Sequence, residues 1–182
     1  MYYFTDFDDD IGDIQIAGAE YLSLIKLCCL HSEYGSLTFT SQEQAKHFSK
    51  FLCIDKIEPI NNAKERRKYR GYFRSSTETE QFLCTHVNEF FQWIDFEGYR
   101  NPEDLTFYRK DGSVFFWSET HEGICAIFNQ KEEDISSIVS SRGWKYHNPQ
   151  DGDVWGIPSF LIKTGDGSST GDGSSTGDGS PS

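Results

Sequence analysis

The stretch Leu105-Thr-Phe-Tyr-Arg-Lys-Asp-Gly-Ser-Val-Phe-Phe-Trp-Ser-Glu-Thr-His-Glu-Gly-Ile-Cys-Ala-Ile-Phe128 decides the fold. Its outer parts, Leu105–Arg109 and Ser113–Ser118, are rich in the aromatic and β-branched residues that suit a pleated, half-buried surface. Between them lies Lys110-Asp-Gly112, and Asp-Gly between β-rich runs marks a hairpin, because glycine accepts the positive φ of a tight turn. A third run, Gly123–Phe128, follows the short turn Thr120-His-Glu-Gly123. The segment therefore predicts a three-stranded antiparallel meander over about 105–128.

Helical patterns flank this meander on both sides. Thr77-x-x-Glu80 fits a capping box and opens a helix predicted to reach about Phe96, with Phe82, Leu83, Val87, Phe90, Phe91 and Ile94 inward and Gly98 as its stop. Ser41-Gln-Glu-Gln44 fits a second box, opening a helix through about Cys53 that turns Ala45, Phe48, Phe51 and Leu52 inward. Ala19–Leu30 reads as a third helix, with Tyr21, Leu24, Ile25 and Cys28 on one face and Leu22 and Cys29 widening it. Lys131–Ser141 reads as a fourth, capped by Asn129 and stopped by Gly143. Tyr2–Phe4, Ile14–Ile16, Ser36–Thr40 and Tyr69–Arg74 read as short strands, and Trp144–His147 and Val154–Ile162 as edge strands. Pro59 and Asn61-Asn62 read as a break. The expected class is α+β, an antiparallel sheet packed with three or four helices.

Residues 1–163 are expected to form one globular domain. From Thr164 the chain repeats Thr-Gly-Asp-Gly-Ser-Ser with a period of six, a composition that buries nothing, so 164–182 is expected to be a disordered tail or linker. Whether it is natural or appended stays open. The chain carries 15 Phe, 9 Tyr and 4 Trp, enough large side chains for a core without disulfides. Cys28, Cys29, Cys53, Cys84 and Cys125 are odd in number and lack a framework spacing, so reduced core thiols are expected. Residues 1–10 contain no Lys or Arg, and no run approaches the length that spans a bilayer, so a cytosolic protein without membrane association is expected.

Net charge is −12, and residues 1–20 hold six acids and no base. Such a surface opposes general binding to nucleic acid and favours a basic partner. The cluster Asp6, Asp8, Asp9, Asp10 and Asp13 reads as a solvated loop, a partner-facing patch or a hard-cation site. An EF-hand loop from Asp6 would need Gly at Ile11 and Glu at Ala17, so that pattern fails. Cys28-Cys29-Leu-His31 has no second ligand pair, and His121-Glu122 has Cys125 where a zinc helix needs its second His. Gly-x-Ser-x-Gly occurs only inside the repeat, without the strand and helix of a nucleophile elbow. No cofactor, metal or catalytic residue is assigned, and a binding protein rather than an enzyme is expected. Lys64–Arg74 holds six bases among Tyr69, Tyr72 and Phe73, either a phosphate contact or a basic edge paired with acids elsewhere. Trp155, beside Asp153 in a polar loop, has the composition of an interface hot spot.

The chain, small and acidic, without a catalytic constellation and centred on the meander over 105–123, resembles in texture the immunity proteins of bacterial contact-dependent growth inhibition and related polymorphic toxin systems. The resemblance covers roughly 100–145 and transfers no residue roles. It implies a cytosolic inhibitor that binds a cognate basic toxin domain, often a nuclease. On charge and aromatic content, the partner contacts are expected at Asp6, Asp8, Asp9, Asp10, Asp13, Glu119, Glu122, Asp151, Asp153 and Trp155. Two alternatives stand beside this. One is an acidic nucleic-acid mimic of phage or plasmid origin, and the other a small hydrolase or transferase using His121.

Overall fold

The computed structural model describes residues 1–8, 12–60, 68–94, 101–154, 156–159 and 161. Strands β1 (Tyr2–Thr5), β2 (Phe7–Asp8) and β3 (Gly12–Asp13) precede helix α1 (Gly18–His31). Next come β4 (Tyr34–Phe39), α2 (Gln42–Phe48), β5 (Ile54–Ile60), β6 (Lys68–Arg74) and α3 (Thr77–His86). The chain continues through β7 (Glu103–Tyr108), β8 (Val114–Glu119), β9 (Ile124–Ile127), α4 (Ser136–Val139) and β10 (Lys145–Tyr146). Eight strands form one antiparallel sheet in the order β10-β1-β9-β8-β7-β4-β6-β5, and β2 pairs separately with β3. The architecture is α+β. The meander expected from the sequence is β7-β8-β9 at its centre.

The Asp-Gly turn forms as its residues dictate. Asp111 accepts from the Ser113 amide and hydroxyl, and Gly112 takes φ +84°. Phe107 pairs with Phe116 and Tyr108 with Val114, leaving Phe115 as a bulge residue. Both Phe115 and Phe116 are consequently buried in the main core, where strict alternation would put one of them on the other face.

The helices cover one face of the sheet. On α1, Tyr21, Leu24, Ile25, Leu27 and Cys28 are buried; Leu22, expected inward, is exposed, and Leu27 takes the contact instead. Ser41 caps α2 by accepting from the Gln44 amide, but the Gln44 side chain accepts from Thr40 rather than from Ser41. This helix ends at Phe48, so Phe51 is 50% exposed and Cys53 is exposed rather than in the core. Among the other thiols, Cys28 and Cys125 are fully buried, and Cys29 and Cys84 are half-buried.

Helix α3 is capped by Ser76 and stops ten residues before Phe96. Val87 is extended, and beyond it the backbone pairs with the segment before α1: Gly18 donates to Asn88 and Phe90 donates to Ile16. These tertiary bonds outcompete continuation of the helix. Leu83, Val87 and Phe90 are buried as expected, whereas Phe82, Phe91 and Ile94 are only half-buried, and Gly98 lies outside the described residues. Trp93 Nε1 donates to the Tyr21 hydroxyl at 3.1 Å, which donates to the Leu83 carbonyl at 2.6 Å. Burial pushes the Tyr21 phenol up, so it stays a neutral donor. Tyr21→Phe leaves two buried partners unpaired and is expected to cost about 1–3 kcal/mol by urea denaturation.

Four further regions depart from the sequence reading. Residues 54–60, read as containing a break, form β5. Proline lacks an amide proton, and Pro59 is tolerated because β5 is an edge strand bonded only to β6. The fourth helix is the single turn Ser136–Val139, because Glu133 is drawn to Arg109 and Asp134 caps Ser136. Val154–Ile162 is not an edge strand over its described part. Turn hydrogen bonds Ile157 to Val154 and Leu161 to Pro158 fold it so that Ile157 and Leu161 cover Ile124, Ala126 and Phe128 on the second face. Ile14–Ile16 is likewise not a strand, and the 164–182 repeat lies outside the described residues.

Candidate interaction surface

Helices cover one face of the sheet, and among the described residues the segment around Ile157 covers the β1-β9-β8 part of the other, with Pro158 and Leu161 bordering Arg70, Thr106 and Tyr108. The remainder of that second face is polar and aromatic. Pairing across β5, β6, β4 and β7 aligns Lys56, Arg70, Tyr72, Tyr34, Ser36, Thr38, Thr106 and Tyr108 on it. The Tyr34 and Tyr108 rings stack 4.9 Å apart, and Tyr72 lies 6.5 Å from each. Burial and the neighbouring phenols push Tyr34 up.

The basic stretch read from the sequence splits by strand alternation. Tyr69 and Phe73 join the core, and Lys68, Arg70, Tyr72 and Arg74 line the open face. Much of its charge is matched there. Lys68 donates to Glu103 at 3.1 Å, Arg74 to Asp55 at 3.2 Å, and neighbouring Lys56 to Glu58. Among the described residues of the stretch, Lys68 and Arg74 are thus paired with acids. Lys64, Arg66 and Arg67 lie outside the described residues.

The acidic residues gather at one end of the sheet. Asp6 follows β1 and its amide donates to the Gly123 carbonyl, which brings it beside the turn Thr120–Glu122. The Asp6 carboxylate fills the space a β-carbon would take at Gly123, whose φ of +65° itself favours glycine. Burial and the Asp13 charge push Asp6 up. Asp13 is exposed on β3, and Asp8 on β2 pairs with Gly12. In the adjoining turn His121 Nε2 lies 3.7 Å from Glu119 and 3.6 Å from Glu122. Asp151 and Asp153, both exposed, line an open cavity of about 460 Å³ with Thr5, Phe7, Lys145 and His147. Phe7 projects at this rim, 56% exposed. Asp9, Asp10 and Trp155 lie outside the described residues.

Two carboxylates at this end escaped the sequence reading. Glu103 and Asp104 open β7, and Thr120 ties Asp104 to the His121 turn: its amide donates to the Asp104 carboxylate, and its hydroxyl accepts from the Asp104 amide, both at 3.2 Å. Burial pushes the Asp104 carboxyl up, opposed by the Thr120 amide. Asp104 has φ +56°, a conformation that aspartate tolerates better than most residues. The available signal was Pro102-Glu-Asp104 directly before an apolar strand, but nothing local places it beside residue 121.

Asp6, Asp13, Glu103, Asp104, Glu119, His121 and Glu122 thus gather at one end of the sheet, with Asp151 and Asp153 across the cavity that Phe7 lines, next to a tyrosine-lined face on which Lys56, Lys68 and Arg74 are paired. Such a surface attracts cationic partners and presents aromatic area to them. No helix among the described residues is long and apolar enough to cross a membrane. Set against protein-family models, curated proteins and solved structures, the chain matches none.

Proposed function

We propose that this chain is an acidic inhibitor of the immunity type, neutralising a cognate basic toxin domain of nuclease class in the cytosol by direct binding. The observation that carries the reading is the acidic rim drawn from four separate segments, with Phe7 exposed beside it. Negative potential over the rim speeds encounter with a basic protein, and the projecting aromatic and the tyrosine face supply contact area afterwards. The paired cations of the open face weigh against nucleic acid as the partner.

The test is affinity capture from the host lysate with the full chain and with Glu119→Lys/Glu122→Lys/Asp153→Lys. The expected result is one stoichiometric basic protein, released as salt rises, with association slowed about tenfold or more in the variant. Equal capture by the variant, or capture of nothing, overturns the proposal.

A further inference from the structure

We propose that Glu103, Asp104 and His121 bind a divalent transition-metal cation at the acidic end of the sheet. One ligand atom from each side chain lies within 4.8 Å of the others, near enough for small side-chain movements to bring all three onto one cation. They come from the start of β7 and from the Thr120–Glu122 turn, two segments locked together by the reciprocal Asp104–Thr120 hydrogen bonds. One imidazole with two carboxylates is a mixed set that suits Mn²⁺ or Zn²⁺ better than an all-oxygen cation such as Ca²⁺.

The surroundings orient these ligands as an outer shell does. Lys68 holds one Glu103 oxygen at 3.1 Å and Thr120 holds one Asp104 oxygen, which leaves the second oxygen of each for a cation. Glu119 and Glu122 stand 3.7 and 3.6 Å from His121 Nε2 and add negative charge beside the three ligands.

A separate observation points the same way. Thr38 pairs directly with Glu103 across β4 and β7, so the two side chains share a face. It is 2% exposed, and its hydroxyl has no hydrogen-bond partner among the described residues. Buried hydroxyls are ordinarily bonded. A cation held by Glu103 carries coordinating water, which can donate to that oxygen.

The test is titration of MnCl₂ into the full chain by calorimetry, with the imidazole signals of its five histidines followed by NMR. One site is expected, with His121 broadened selectively by the paramagnetic ion. His121→Ala changes an exposed ring, leaves the fold intact, and is expected to weaken binding about tenfold or more. Glu103→Gln should do the same, and Thr38→Val should give a smaller loss. No binding at millimolar Mn²⁺, or wild-type affinity in His121→Ala, overturns the site. Because no toxin enters this experiment, its failure leaves the proposed inhibitor function untouched, and the reverse holds for the capture assay.

Discussion

Arg109→Leu is expected to destabilise the protein by about 3–5 kcal/mol in chemical denaturation, the loss associated with breaking one side of a buried ion pair. Arg109 is 8% exposed although it begins a surface hairpin turn. Its Nε and Nη2 donate to the two Glu133 oxygens at 2.6 Å each, while Nη1 donates to the Val114 carbonyl at 2.7 Å and Nη2 to the Phe128 carbonyl at 2.5 Å. The guanidinium also lies over the Phe115 ring, 5.2 Å from its centre. One side chain thereby fastens the β7-β8 hairpin to the end of β9 and to the loop before α4. Leucine keeps the volume but leaves Glu133 and two carbonyls without these partners. Arg109→Leu/Glu133→Leu is expected to recover part of the loss, since the uncompensated charge is gone. A double variant no more stable than Arg109→Leu would show that the carboxylate was not the source of the cost.

The same pair sets a pH dependence. Burial pushes the Glu133 carboxyl up, but the Arg109 guanidinium and the Gln130 amide outweigh it and hold the group below its ordinary value. A depressed carboxylate contributes stability above its unfolded value and loses it as pH falls through the folded one. The stability gap between wild type and Glu133→Gln should therefore narrow as pH drops below about 4.3. Asp6 and Asp104 act in the opposite sense, because burial raises both and acidification relieves them.

The local features of this fold were readable where one short segment decided them. Asp111-Gly112 between aromatic runs specified the hairpin, and Ser41 with Gln44 marked the start of α2. The spacing of Tyr21, Leu24, Ile25 and Cys28 specified the face of α1. What escaped the sequence depends on distant partners. Pro59 reads as a break unless β5 is known to be an edge strand. Helix α3 ends at His86 because residues 16–18 supply alternative backbone partners for 88–90. Glu133 reads as an acid in a helical first turn until Arg109 is seen to claim it. The candidate surface follows the same division. Asp6, Asp13, Glu119, Glu122, Asp151 and Asp153 could be named one by one from charge. Their assembly with Glu103 and Asp104 arises from the β1-β9-β8-β7 order of the sheet, and no local pattern encodes that order.

Gly35→Ala is expected to cost about 1–3 kcal/mol, although only one methyl group is added. Gly35 pairs with Phe73 on one side of β4 and Phe107 on the other, at the middle of the sheet and facing the helices. A β-carbon there would lie 2.5 Å from Phe73 Cζ and 3.1 Å from the Thr106 carbonyl oxygen. Neither neighbour has room to yield. Phe73 is fully buried and meets Phe107 edge to face at 6.0 Å, and Thr106 is held in the β7 ladder. The cost is steric rather than conformational, since glycine is not required here by a left-handed backbone. Shortening the ring should therefore restore the methyl group's place. In a Phe73→Leu background, Gly35→Ala is expected to lose much less than it does in the wild type, giving a coupling of about 1 kcal/mol in a double-mutant cycle. Strictly additive losses would mean that the chain relieves the contact by moving β4. In that case Thr38 would shift against Glu103, and the Mn²⁺ titration of Gly35→Ala would report the displacement as a weakened site.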